Sequence, residues 1–269
     1  MSVEAILERS GTLPHLLQLY EADDTALVAK LAGYLGEGLR RGQAAIAIVS
    51  ESRRAALTSE LQRYGCSTAR EIAGGRLILL DADRTLERLM VDGYPDADRF
   101  DEIVGALVRQ ASPSEGENRP RVYGELVGTL WRAEQFAAAI RIEQLWDQLQ
   151  RENSFSLFCS YRIDVFGKEF DGHVVNALLC AHTHLLPTAI DDHLERALAR
   201  AIQELLGLGP DELRNCIQDA GGAAWGVVPS AEAAILWLRR EYPRYADTIL
   251  ESAKTYFAAS TPRRGLEAI

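Results

Sequence analysis

The stretch that decides the fold is RVYGELVGTLWRAEQFAAAIRIEQLWDQLQRENSFSLFCSY, Arg121 to Tyr161. It predicts strand, loop, helix, strand. Arg121 to Leu126 is short and apolar-rich and carries Glu125 at its end. Phe136 to Arg151 repeats apolar residues at Ala139, Ile142, Leu145, Trp146 and Leu149, the spacing of one helix face. Ser154 to Tyr161 has the apolar content of a buried strand, with Phe155, Leu157, Phe158, Cys159 and Tyr161. Together they make a parallel βαβ crossover. Glu125 and Cys159 fall toward its two strand ends, and open parallel sheets gather ligands at the carboxyl ends of their strands.

Upstream the same alternation continues. Strands are expected at His15–Tyr20, Ala44–Val49 and Arg76–Asp81. Helices are expected over Leu27–Arg41, Ser52–Tyr64, Thr85–Val91 and Asp98–Gln110, with a polar loop from Ala111 to Pro120. Alternation of this kind predicts a three-layer α/β domain with a mainly parallel sheet covered on both faces. A short arm or helix precedes the first strand. Downstream an apolar helix is predicted from His173 to His184, ending near Pro187. Beyond it only helices are expected: Ile190–Leu206, Asp211–Asp219, Ser230–Tyr242 and Tyr245–Phe257, with at most a brief strand near Trp225 to Val228. The expected division is an α/β domain over 13–187 and a helical segment over 188–260 packed on it. The last residues, Ser260 to Ile269, are expected to fray.

With 269 residues, 47% of them hydrophobic and 25% charged, the chain has ample material for a core. A formal net charge of -10 disfavours a nucleic-acid-binding surface. The four cysteines, Cys66, Cys159, Cys180 and Cys216, are widely spaced and read as free thiols in a reducing compartment. The opening MSVEAILERS lacks the apolar core of a signal peptide, and no apolar run has the length of a membrane span. A soluble cytoplasmic protein is expected, with no membrane partner.

The first strand-to-helix turn, EADDTA, has neither the glycines nor the lysine that cradle a triphosphate, and its acidic side chains repel one. Hydrolysis by a phosphate-loop mechanism is therefore disfavoured, and no GxGxxG marks a dinucleotide site. A helix-turn-helix within Leu198–Gln218 would be acidic, which disfavours DNA. Taken one by one, His15 reads as a structural histidine, Glu125 as a cap or ion pair, and Cys159 as a core thiol. His182 and His184 are two apart, a weak metal signal on a helix. Trp131, Trp146, Phe155 and Tyr161 read as core and pocket wall.

The order HLLQLY, GELVGTLW, IEQLWDQL, FSLFCSY, LLCAHTHLLP, spanning His15 to Pro187, resembles the MEDS domain, a sensory family described in methanogens and methylotrophs and often attached to histidine kinases or transcription regulators. The resemblance implies a fold similar to RecA and KaiC that has lost the phosphate loop. It also implies a ligand among hydrocarbon derivatives or other small molecules. The family pattern maps onto His15, Glu125, Trp131, Cys159, Tyr161 and His182, and Tyr20 is a further candidate for the pocket. Ser160 stands where the family more often has alanine, and too few residues follow Pro187 for a kinase domain.

The expected function is therefore a non-enzymatic sensor. A small organic ligand binds at the strand carboxyl ends, and the state passes through the C-terminal helices to a signalling partner, a kinase or a transcription regulator. A divergent RecA-like ATPase is one alternative. A protein-contact scaffold or anti-regulator is another, with Trp237 and Tyr242 on the helices after Ile190 as exposed residues of a partner or homodimer surface. His15, Glu125, Cys159 and His182 are expected to form a cluster, either structural or serving as metal ligands, a redox sensor or a Cys/His nucleophile pair. No cofactor is specified and no residue is assigned to a metal.

Overall fold

The computed structural model describes residues 3, 6–7, 13–20, 24–112, 119–168, 170, 172, 178, 182–187, 192–221 and 228–260. The chain divides into two compact units, Met1–Arg162 with Leu179–Leu186, and Ile163–Leu178 with Pro187–Ile269. The first is an α/β unit. Its strands are β1 (His15–Tyr20), β2 (Ala45–Val49), β3 (Leu77–Asp81), β6 (Arg121–Gly124), β7 (Ser156–Arg162) and β8 (His184–Leu186), with a hairpin of β4 (Met90–Val91) and β5 (Tyr94–Pro95). The large sheet runs β3-β2-β6-β7-β1-β8, and every pairing in it is parallel. The predicted crossover is present: β6 and β7 are neighbours, with Gly124 opposite Cys159.

Side chains alternate between the two faces of a sheet. Leu16, Tyr20, Ala47, Val49, Tyr123 and Phe158 share one face. They form a core with Leu31 and Leu35 of α1 (Thr25–Arg40) and Leu57 and Leu61 of α2 (Glu51–Arg63). The opposite face, with His15, Leu17, Leu157, Cys159 and Tyr161, lies under α7 (Leu126–Arg132) and α8 (Phe136–Glu152). Between these come α3 (Thr68–Ala73), α4 (Ala82–Leu89), α5 (Ala97–Phe100) and α6 (Ala106–Ala111), the last two joined by a π-helical turn at Asp101–Gly105.

Three expectations are corrected. The loop predicted between Leu126 and Gln135 contains α7, which lies close against β7 because Gly128 has no side chain; a Cβ there would sit 2.4 Å from the Ser160 carbonyl oxygen. Most of the predicted helix His173–His184 lies outside the described residues, but its last residue begins β8 instead, pairing Leu16 with His184 along the edge of β1. A short apolar His-Leu-Leu run carries no period long enough to tell strand from helix. The helix predicted over Thr85–Val91 starts earlier and stops at Leu89. Asp81 caps it by accepting from the Arg84 N–H at 2.8 Å, and Asp92 and Gly93, with φ of 50° and 78°, turn the chain into the hairpin. Helix α3 was not predicted. Residues 225–227, 261–269 and 21–23, on which the brief strand, the frayed tail and most of the acidic turn fall, lie outside the described residues.

The second unit is helical: α9 (His193–Leu206), α10 (Pro210–Gly221), α11 (Ser230–Glu241) and α12 (Ala246–Ser260). Leu198, Ile202, Ile235, Leu238, Ile249 and Leu250 are buried in it. Arg239 of α11 donates to the carbonyls of Phe166 and Gly167 at 2.9 and 2.8 Å, which ties the stretch after β7 into this unit. Trp237, expected on the surface, is 3% exposed and meets the Tyr242 ring at 5.3 Å.

Candidate sensory site

His15 opens β1, and its sheet partner is Leu157. Cys159 lies two residues further along β7, in mid-strand rather than at its end, so it is the diagonal neighbour of His15 on the same face. That brings His15 Nε2 to 3.4 Å from Cys159 Sγ. Helix α8 lowers Glu143 onto the pair, with one carboxylate oxygen 3.7 Å from His15 Nε2. The other oxygen is 3.6 Å from Nε2 of His182, which precedes β8. The two imidazole rings are 4.0 Å apart. His15 N–H donates to Thr183 Oγ1 at 3.0 Å and Thr183 N–H donates back to the His15 carbonyl at 2.8 Å, so the His182 stretch is pinned to the start of β1.

Tyr161 donates its hydroxyl to Glu143, and its ring takes the edge of Trp131 at 5.4 Å. Trp131 is half-buried and reaches toward the surface. All four clustered residues are under 9% exposed. Burial pushes the Cys159 thiol well above its ordinary 9.0, and the Glu143 carboxylate pushes it further. The same two causes, in the same order, raise Tyr161. The thiol is therefore protonated at neutral pH, which deprives it of the thiolate that nucleophilic chemistry requires.

Glu125 does not join this cluster. Its neighbour Gly124 is the last residue of β6 and sits opposite Cys159; Glu125 leaves the strand with helical backbone as the residue that leads into α7, and its carboxylate lies on the other face. There Glu125 Oε1 lies 2.5 Å from Arg53 Nη1, and its other oxygen accepts the Ser50 N–H at 2.8 Å. Arg53 also donates to Asp24 at 2.9 and 3.0 Å and stacks over Tyr20 at 4.9 Å. Tyr123 lies within 3.4 Å of Arg53 and shares a 2.7 Å hydrogen bond with Ser160. The candidate residues thus divide: His15, Trp131, Cys159, Tyr161 and His182 on one face, Tyr20 and Glu125 on the other. In the second group two carboxylates meet one guanidinium, an arrangement that repels phosphate.

Residues 14–183 match the family model described as MEDS, the MEthanogen/methylotroph, DcmR Sensory domain. The chain belongs to the MEDS family. Comparison with curated proteins finds no match. The MEDS span starts one residue before β1 and stops one before β8, so it holds the whole His15–Glu143–Cys159–His182 cluster and leaves α9 to α12 outside. Membership brings a sensory role to the α/β unit.

Two residues of the MEDS domain that shape these groups escaped the sequence reading. Glu143 sits among Ala139, Ile142 and Trp146 on the apolar stripe of α8, and Arg53 precedes Leu57 and Leu61 on that of α2. A charge at a stripe position was the available signal, because such a residue is buried by the period that buries its neighbours.

Proposed function

We propose that this chain is a non-enzymatic sensory protein whose MEDS domain takes up a small organic ligand and passes its state through the C-terminal helices to a signalling protein. The observation that carries this reading is the cluster of His15, Glu143, Cys159 and His182 beneath Tyr161 and Trp131. Gathering four ionisable side chains out of water is costly, and apolar residues would stabilise the same helix–sheet contact better. A ligand with an apolar body and a polar head suits the approach: the body replaces the edge contact between Trp131 and Tyr161, and the head meets Glu143.

The route outward is covalent. His182 belongs to Leu179–Leu186, the stretch that the chain lays into the α/β unit between two stretches of the helical one. A ligand that displaces His182 acts on the chain in both directions. The protonated thiol and the phosphate-repelling group around Arg53 favour sensing over catalysis. A kinase or transcription regulator is the class of partner that the family suggests.

The test is thermal shift and calorimetry on the full chain against short alcohols, thiols, amines and haloalkanes, with nucleotides alongside. A saturating ligand at a hundredfold its Kd raises stability by about 2.7 kcal/mol. The expected result is saturable stabilisation by a small organic that Trp131→Ala abolishes while leaving the circular dichroism unchanged. Tight ATP binding with turnover would replace this reading with that of a divergent ATPase.

A further inference from the structure

Helix α8 sets Glu143 over β1 and β7, and the stretch before β8 adds His182, so that two imidazoles, a thiol and a carboxylate converge from four separate stretches of chain. We propose that His15, Glu143, Cys159 and His182 bind one transition-metal ion, zinc by preference. The proposal goes beyond ligand sensing and stands on this geometry whether or not an organic ligand is found.

Zinc bonds of about 2.0–2.3 Å, set tetrahedrally, hold their donor atoms about 3.3–3.8 Å apart. The separations here are 3.4 Å from His15 Nε2 to Cys159 Sγ, 3.7 Å from His15 Nε2 to Glu143 and 3.6 Å from His182 Nε2 to Glu143. One donor atom from each residue lies within 4.8 Å of all the others. Closing on an ion thus needs only small side-chain shifts. Among the described residues, Glu143 Oε2 is buried and accepts no hydrogen bond, a lone pair that a cation would satisfy. Tyr161 holds the other oxygen from outside the cluster, the support that ligating carboxylates commonly have. Thiolate with imidazole selects zinc or cobalt over calcium or magnesium. One thiolate and one carboxylate neutralise a divalent ion, so the filled site carries no net charge into the core. Binding releases the thiol proton to solvent.

The test uses the full chain without a polyhistidine tag, purified in buffers free of chelator. Mass spectrometric metal analysis is expected to find one zinc per chain. Cobalt substitution is expected to give the strong visible bands of four-coordinate cobalt with thiolate-to-cobalt absorption in the near ultraviolet. Cys159→Ser should remove the thiolate absorption, and Tyr161→Phe should weaken zinc affinity about 10–100-fold while the protein stays folded. A folded wild-type protein that holds no metal and takes up neither zinc nor cobalt on titration overturns the proposal. Cobalt bound without thiolate absorption overturns it as well.

Discussion

Arg53 Nη1 lies 2.5 Å from Glu125 Oε1, with the two side chains 5% and 1% exposed. Neither charge has solvent to fall back on. Truncating one leaves the other buried and uncompensated, a loss of about 3–5 kcal/mol, whereas replacing both with apolar residues of similar volume is nearly neutral. Arg53→Met is therefore expected to destabilise strongly, and Arg53→Met with Glu125→Leu to recover most of the loss. Chemical denaturation of the two single variants and the double variant measures the coupling. Simple additivity would show that the pair is not the unit described here.

The same substitution should have opposite signs at two glycines. Gly128→Ala drives a Cβ to 2.4 Å from the Ser160 carbonyl and forces α7 off β7. A loss of about 1–3 kcal/mol is expected. Gly33→Ala, in α1 with nothing within 4 Å of the new Cβ, should gain about 0.5–1 kcal/mol through helix propensity. Urea midpoints of the two variants against wild type decide it.

Stability should fall in alkali. Burial raises the hydroxyls of Tyr34 and Tyr123 well above their ordinary 10.0. In the folded state both keep their protons where the unfolded chain has lost them. Their contribution is thus complete below pH 10.0 and is lost as pH rises beyond it toward the folded values. The urea midpoint is expected to hold through neutral pH and to decline above that point. Tyr34→Phe with Tyr123→Phe should flatten the decline.

Cysteine labelling should separate the thiols by position. Cys216 is half-buried, while Cys159 is fully buried with its thiol pushed up by that burial. Iodoacetamide at neutral pH, followed by peptide mass spectrometry, is expected to modify Cys216 before Cys159, and Cys159 only at the rate of unfolding. Modification of Cys159 in step with Cys216 would mean that solvent reaches the cluster in the folded protein.

Much of the α/β unit was legible because its segments are long and strongly periodic. The βαβ stretch, the five strands of the large sheet between His15 and Arg162 and the alternation of layers all rest on apolar runs bounded by turn residues. The elements that were missed are short: α7 and α3 span two turns or fewer, and β8 has three residues, lengths at which period says little. The site was half legible. His15, Cys159 and His182 were expected together and do meet, although the expectation put Cys159 at a strand end. Glu125 was assigned to them through strand adjacency alone. Adjacency fixes a distance along the sheet but leaves the face open, and the register that sets Gly124 against Cys159 decided it. Glu143 in Glu125's stead was written in the sequence as a carboxylate on an apolar stripe.

The late position of β8 has a consequence for the protein's birth on the ribosome. Five strands of the sheet are synthesised before Ile163–Leu178, which belongs to the other unit, and only then does the chain supply His182 and the strand that covers β1. Until residue 186 has left the exit tunnel, His15 to Tyr20 present an open row of amides and carbonyls to any nascent neighbour. A fragment ending at Arg162 would have most of its sheet, an unsealed and adhesive margin, and three members of a four-residue cluster.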